Sequence, residues 1–271
     1  MNNNRFKFKR WQRKMFKPGS VAVIIAKKAA GKSTVLADIC HSIRDCPEVT
    51  LFQKTYDSNN LFHGVVPPLF CYTTWDREKV KAIIERQRKR NGQRMKDGRP
   101  PVYHTIIVDD LACSQEFTKD PQLEELIMNA RWLKINILIT LQDSLKLHPA
   151  IRNNTDWCFF LKDIMPNSRK RLYEQYTGQF PTQKQFEKVF ERMTENRGVM
   201  VLNNTSLSNE ISNNYFFWRA TLRNFNDDPK IPRWRMGSKA YWAFNYRYYK
   251  EEEESEDFGE SDNEHEMIIF K

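Results

Sequence analysis

The sequence predicts an α/β fold, a mostly parallel central sheet flanked by helices, and three observations carry that expectation. Short continuous apolar runs alternate with stretches whose apolar residues fall at helical spacing, as in sheets covered by helices on both faces. The first such run, Val21–Ile25, leads through a short loop into Val35, Leu36, Ile39 and Ile43 at helical spacing, which reads as strand, loop, helix. With 271 residues, 40% of them hydrophobic, the chain is long enough to bury one full core.

In chain order, residues 1–17 form a basic, aromatic arm (Arg5, Phe6, Lys7, Phe8, Lys9, Arg10, Trp11). That composition suits gripping phosphate and stacking bases, and it equally suits an edge strand packed on the body. After Val21–Ile25 and a helix over 33–43, apolar runs predict strands at 49–52, 69–72, 105–108, 135–140 and 157–161. Helical patterns separate them at 77–90, 122–133 and 168–176; a helix at 186–193 and strands at 198–202 and 215–220 follow. Residues 18–250 are read as one domain ending in an aromatic, basic extension. From Glu251 onward the acidic composition cannot repay its ordering entropy, so 251–271 is expected to be a disordered tail.

The net charge of +10 conceals a strong polarity along the chain. Residues 251–271 hold ten acidic residues against one lysine, net −9, which leaves +19 on residues 1–250. A body that basic attracts polyanions, nucleic acid above all, with a solubility effect as the plain alternative. The tail is expected to compete with DNA for that body as a movable polyanion. No run of 18 apolar residues exists and the arm has no apolar segment behind it, so no membrane insertion is expected and the protein is read as soluble and not secreted. Cys40, Cys46, Cys71, Cys113 and Cys158 are widely spaced and read as packing thiols of a reducing compartment.

The segment Ala26-Lys27-Lys28-Ala29-Ala30-Gly31-Lys32-Ser33-Thr34 matches G-x-x-x-x-G-K-[ST] except at its first position, where alanine replaces glycine. The bare G-K-[ST] triplet is weak evidence, but its place between a β-branched strand and an amphipathic helix is what phosphate binding needs: loop N–H groups and a helix N-terminus converge on phosphate oxygens. Lys32 is expected to reach the β- and γ-phosphates of ATP, and Ser33 to ligate Mg²⁺. The strand at 105–108 ends in Asp109-Asp110. Asp109 is expected to hold metal-bound water and Asp110 to polarise the attacking water, its shorter side chain standing where many ATPases use glutamate. Gln142, just past the strand at 135–140, suits a γ-phosphate sensor; Arg131 before that strand and Arg152 after it each suit pointing at a neighbour's γ-phosphate. The fold is accordingly read as a P-loop NTPase (RecA/ASCE-like).

The ordering of these motifs, with "NARWLKINILITLQD", "LHPAIRNNTDWCFFLK" and "SRKRLYEQYTGQF" following the Asp-Asp strand, resembles the genome-packaging ATPases of poxviruses and related large DNA viruses, in the FtsK–HerA superfamily. The resemblance covers about residues 21–202. It implies an ATP-driven, ring-forming translocase of double-stranded DNA that fills a viral capsid. It also implies a homo-oligomeric ring, a pentamer or hexamer; capsid or membrane-associated viral proteins as partners; and a place in the host cytoplasm (viral factory) or virion. Lys32 and Ser33 match its Walker A pair and Asp109 and Asp110 its Walker B pair; Gln142 looks like the strand-end sensor, and Arg131 or Arg152 like the trans arginine. Ala26, the acidic tail and the aromatic stretch Trp234, Tyr241, Trp242, Phe244 and Tyr246 depart from the family pattern.

Residues 77–99 hold ten basic and three acidic residues, with Arg86, Arg88, Lys89 and Arg90 preceding an expected loop at 91–101. Such a cluster suits tracking DNA phosphates without reading sequence, or simply a solvated helix face. A P-loop kinase acting on a polynucleotide or small molecule, and an NTP-switched assembly protein, are the competing functions.

Overall fold

The computed structural model describes residues 7–58, 60–111, 115–143, 147–223 and 233–248. The expectation of a disordered acidic tail, the first six residues of the arm, and Cys113 lie outside them. Nine strands form one sheet in the order β1-β9-β8-β7-β2-β6-β5-β3-β4. They are β1 (Lys9–Arg10), β2 (Val21–Ile25), β3 (Glu48–Gln53), β4 (Cys71–Tyr72), β5 (His104–Asp109), β6 (Ile135–Leu141), β7 (Trp157–Phe160), β8 (Val199–Asn203) and β9 (Tyr215–Trp218). Every described pairing is parallel except those of β8 with β7 and β9. The helices include α1 (Lys32–Ser42), α2 (Arg77–Lys96), α3 (Gln115–Thr118), α4 (Pro121–Leu133), α5 (Pro149–Asn153), α6 (Pro166–Tyr176), α7 (Gln183–Thr194) and α8 (Ile211–Asn214), and residues 239–248 are helical as well.

Both faces of the sheet are buried, and β2 shows why a continuous apolar run is required there. Val21, Val23 and Ile25 point into the core beneath α2, α4, α6 and α7, while Ala22 and Ile24 point into the core beneath α1, following the period-two alternation of a strand. Burial of each large aliphatic side chain contributes roughly 1.5–3 kcal/mol, so a polar residue at any β2 position is excluded. On the α1 face, Asp38 is fully buried and accepts from Arg13, Arg223 and the Thr221 N–H, which ties the arm and the segment after β9 to α1.

The structure decides between the two readings of the arm and corrects the loop at 91–101 and the strand at 69–72. The arm is an edge strand: Lys9 and Arg10 pair with Phe216 and Phe217, and Trp11 is buried against Trp157, Phe159 and Trp218, so its ring does not face solvent to stack a base. The expected loop at 91–101 is helical as far as Lys96. Gly92 costs that helix about 1 kcal/mol, but Asn91 exchanges hydrogen bonds with the Val102 backbone at 2.9 and 3.0 Å and holds the turn in place; the chain leaves the helix only at Gly98, φ 65°. The strand expected at 69–72 shrinks to two residues because Pro67 and Pro68 start a 3₁₀ turn over Pro68–Phe70. The aromatic extension belongs to the domain: Trp234 and Trp242 are buried, and Tyr241 stacks on Phe70 with centroids 3.9 Å apart. Cys40, Cys46 and Cys158 are buried thiols, and Cys71 is half-buried. Among the described residues, no helix is long and apolar enough to cross a membrane.

Candidate active site

The loop leaving β2 holds its shape through the backbone. Ala26, in place of the expected glycine, is buried and donates its N–H to Leu141 O at 3.0 Å. Its φ is not among the positive ones, which fall instead at Ala29 (64°) and Gly31 (97°), so the loop geometry does not need a glycine at position 26. Gly31 does need to be glycine, since a side chain is strained at that φ; Ala29 accepts the left-handed region at about 1–2 kcal/mol. Gly31 N-caps α1 with no side-chain cap on the first-turn N–H groups among the described residues, so those donors remain available to an anion. Beside the loop lies a hollow of about 260 Å³ lined by Ala29, Gly31, Thr34, Leu161, Arg197 and Leu222.

Strand order assembles the charged groups. Because β6 lies between β2 and β5, the ends of three adjacent parallel strands carry the P-loop, Asp109-Asp110 and Gln142. Asp109 is only 2% exposed; one carboxylate oxygen accepts from the Thr140 hydroxyl at 2.5 Å and the other from Gln53 Nε2 at 2.8 Å. The Thr140 hydroxyl oxygen also accepts the Asp110 N–H at 3.2 Å. Asp110 turns away from the strand with φ 60°, a region aspartate tolerates better than most side chains. Its Oδ1 accepts from Lys32 Nζ at 3.2 Å and from Gln142 Nε2 at 2.6 Å. Partial burial works against its charge, but the Gln142 hydrogen bond and the Lys32 charge outweigh it and hold the carboxyl below its ordinary pKa. Lys32, Asp109, Asp110 and Gln142 thus form one connected site.

The residues fit ATP and Mg²⁺. Asp110 occupies Lys32 as a phosphate oxygen would, the N–H groups at the start of α1 have no side-chain cap among the described residues, and Gln53 Oε1, beside Asp109, is buried without a hydrogen-bond partner among them. A hydrated divalent cation supplies water O–H donors for such an acceptor.

No protein-family model matches the chain. An uncharacterised protein of Acanthamoeba polyphaga mimivirus is 28% identical over 257 residues, spanning 93% of this chain and 87% of the relative. One from Invertebrate iridescent virus 3 is 28% identical over 236 residues, 86% of each. Among solved structures, the genome packaging NTPase B204 of Sulfolobus turreted icosahedral virus 2, in complex with AMPPCP, superposes with a TM-score of 0.52 at 12% identity, over 76% of this chain and all of that one (100%). The chain has the fold of the viral genome-packaging ATPases. The conjugation coupling protein TcpA of pCW3 shares it, with a TM-score of 0.56 at 14% identity over 82% of this chain and 71% of that one. The resemblance seen in the sequence is therefore borne out in the fold.

Within this packaging-ATPase fold, Arg131 lies away from its own P-loop. Arg131 pairs with Asp156 at 2.8 Å, and the same carboxylate accepts the Val21 N–H at 2.7 Å. That is the start of β2, whereas the P-loop leaves its end, about 17 Å away at roughly 3.3 Å per residue. Arg152 donates to Leu147 O at 3.0 Å and Gln175 Oε1 at 2.6 Å and lies 5.8 Å from the Tyr176 ring centre. The proposed DNA cluster is partly spent on internal pairs: Arg86 and Arg90 both meet Glu48, at 3.0 and 2.5 Å, and Arg88 meets Glu125 at 3.0 Å. Lys89 is exposed.

Sequence reasoning missed Gln53, Thr140 and Arg197. A polar residue closing an apolar strand was the available signal for the first two. For Arg197 there was none: it owes its place to the left-handed pair Asn196 (φ 51°) and Arg197 (φ 61°) and to Gly198, where a Cβ would lie 2.1 Å from Met193 O.

Proposed function

We propose that this chain is an ATP-driven translocase of double-stranded DNA that packages a viral genome into capsids, working as a homo-oligomeric ring. The observation that carries the reading is the Lys32–Asp110–Gln142 cluster at the ends of three adjacent parallel strands, with Asp109 braced beneath it. Relatives in large DNA viruses and a shared fold with a packaging NTPase and a conjugation coupling protein support the choice of polymer.

The N–H groups of the loop over 26–34 and Lys32 would hold the triphosphate, the Ser33 hydroxyl would ligate Mg²⁺, and Asp109 would hold the metal-bound water. Bound there, MgATP supplies a phosphoryl group for transfer to water. The chain's own groups do the rest. Lys32 exchanges Asp110 for phosphate oxygens, which removes the charge that most directly opposes proton uptake by Asp110. Gln142 keeps the freed carboxylate aimed, so that Asp110 accepts the proton of the attacking water. Gln53 and Thr140 fix Asp109 so that it cannot swing to Lys32 in its place.

Because Arg131 sits at the far end of β2, it serves a neighbour's site rather than its own. Its side chain is 72% exposed and held by a single ion pair, which makes it the better of the two candidates; Arg152 is tied down by two hydrogen bonds. Duplex DNA follows the basic body through phosphate contacts. The test is ATPase turnover with and without linear duplex DNA, alongside a mass measurement of the assembly. DNA-stimulated turnover by a pentamer or hexamer is expected; full, concentration-independent turnover by a monomer, indifferent to DNA, would return the P-loop kinase reading to first place.

A further inference from the structure

The packed face of α2 and α4 ends in a groove whose apolar centre the motor reading does not use. Two large apolar side chains stand out of it: Trp132 is 81% exposed and Met95 73%. Met95 and Trp132 line a cavity of about 640 Å³, with Arg88, Arg99, Asn129 and Lys134 also on its walls. Its floor is rigid and polar-satisfied, since Gln87 donates to Val102 O and Leu133 O while Asn91 exchanges bonds with Val102. Around α2 a second hollow of about 410 Å³ is walled by Lys89, Arg94 and Arg99. A surface that pairs exposed aromatic and thioether groups with a cationic rim selects an occupant that is both apolar and acidic.

The chain carries such a segment. Residues 251–271 hold ten carboxylates, and then close on Met267, Ile268, Ile269 and Phe270, apolar residues that a tail serving only solubility does not need. We propose that the groove between α2 and α4 is the docking site of the chain's own C-terminal segment, residues 251–271. Carboxylates meet Arg94 and Lys134 and share Arg88 and Arg99 with Glu125 and Asp97, and the closing apolar residues lie against Trp132 and Met95. Reach is sufficient: 23 residues follow Tyr248, up to about 75 Å of chain at roughly 3.3 Å each, against a radius of gyration near 18 Å for a domain of this size. Tethering supplies an effective concentration that a separate partner lacks. Nucleic acid fits the rim but not the thioether and indole centre, and a second copy offers no comparable acidic stretch elsewhere in its sequence.

The inference does not rest on the motor reading, and its test needs neither ATP nor DNA. In the full chain, Phe270→p-benzoylphenylalanine is irradiated at low salt and the crosslinks are mapped by mass spectrometry in a mixture of isotopically light and heavy chains. Crosslinks from position 270 to Met95 or Trp132 within one chain are expected, and Arg99→Glu with Lys134→Glu should lower their yield about fivefold, as the loss of two surface ion pairs predicts. Crosslinks scattered over other surfaces, or a yield unchanged by the two substitutions and by raised salt, overturn the proposal. Groove crosslinks only between light and heavy chains overturn it too, and assign the groove to contact between copies.

Discussion

The two ends of one sheet are built for opposite purposes. At the N-terminal ends of the strands, polar groups are buried in closed networks. Glu48 accepts from Arg86, Arg90 and His104, and His104 also meets Thr50 at 3.0 Å. Asp156 binds the Val21 N–H and Arg131, and Asn136 accepts the Gly19 N–H at 2.6 Å and donates to Thr105 at 3.0 Å. At the C-terminal ends, one carboxylate oxygen of Asp110 is shared by Lys32 and Gln142, Gln53 Oε1 lacks a partner among the described residues, and Ala29, Gly31 and Asp110 all have positive φ. Closed networks resist change, whereas shared acceptors and strained backbone can exchange partners when a ligand arrives. The same strands thus supply a rigid base and a reactive rim.

The sharpest way to break that comparison is to remove a charge from each end and ask which loss a neighbour can repair. Lys32→Ala should abolish nucleotide turnover in a protein that still folds, because Lys32 makes its contact at the rim and not in a core. Arg131→Ala should also lose turnover, by roughly 10³ to 10⁵ if it acts as a trans arginine. Mixed together, the two inactive proteins should regain activity that neither shows alone, and dilution below the assembly concentration should remove it. A mixture that stays inactive, while Arg152→Ala in place of Arg131→Ala is rescued, would move the finger to Arg152.

The two adjacent carboxylates test the rim more finely. Asp110→Asn should leave ATP bound and slow hydrolysis by about 10² to 10⁴, the usual worth of a positioned base. Asp109→Asn should instead raise the magnesium needed by about tenfold or more, because its bracing to Gln53 and Thr140 no longer presents a charge. Nucleotide affinity and magnesium titrations distinguish them; equal loss of binding in both variants would mean that the assigned division of labour is wrong.

Acid should attack the other end first. Burial holds His104 below its ordinary 6.5, outweighing the pull of Glu48. Burial raises Glu48, but hydrogen bonds from His104 and Arg90 and the Arg86 charge prevail, lowering it from 4.5 to about 2. Both folded-state values lie below the unfolded ones, so the unfolded chain binds more protons in each window and stability is lost as pH falls through it. The His104 contribution is present above pH 6.5 and fades below it; that of Glu48 is lost between 4.5 and about 2. Melting temperature followed from pH 7.5 downward should begin to drop below 6.5, and His104→Asn should flatten that first drop and, by weakening the hold on Glu48, move the second to higher pH. An unchanged profile in His104→Asn would place the acid sensitivity elsewhere.

How much of each end could be read from the sequence follows from how local its determinants are. The rim was legible because Lys32, Ser33, Asp109, Asp110 and Gln142 sit in short motifs at the tips of continuous apolar runs; the insertion of β6 between β2 and β5 was not. Gln53 and Thr140 were not, since they matter only once β3 and β6 flank β5. The base was almost illegible: Glu48 lies 38 and 42 residues from the arginines it binds, and nothing local announces the pairing. The continuation of α2 through Asn91-Gly92 was misread for the same reason, because the turn signal is overridden by a contact with Val102 across the chain.

That hidden pairing sets the smallest effect. If Arg86, Arg88, Lys89 and Arg90 all met DNA phosphates, neutralising them would flatten the slope of log K against log salt by about 3.6, at 0.9 per contact. Arg86, Arg88 and Arg90 already neutralise Glu48 and Glu125, so each must share its guanidinium with a phosphate or abandon a carboxylate. The expected flattening is therefore nearer one or two. Removing Arg86 and Arg90 also strands Glu48, whose side chain is 16% exposed, and this lowers stability by a route unrelated to DNA. The informative variant is Lys89→Gln, alone and with Arg88→Gln, which leaves the Glu48 network intact. A slope change of roughly one for Lys89→Gln, with the melting temperature unmoved, would keep the DNA path on this face of α2; an unchanged slope in both variants would take the path off that face.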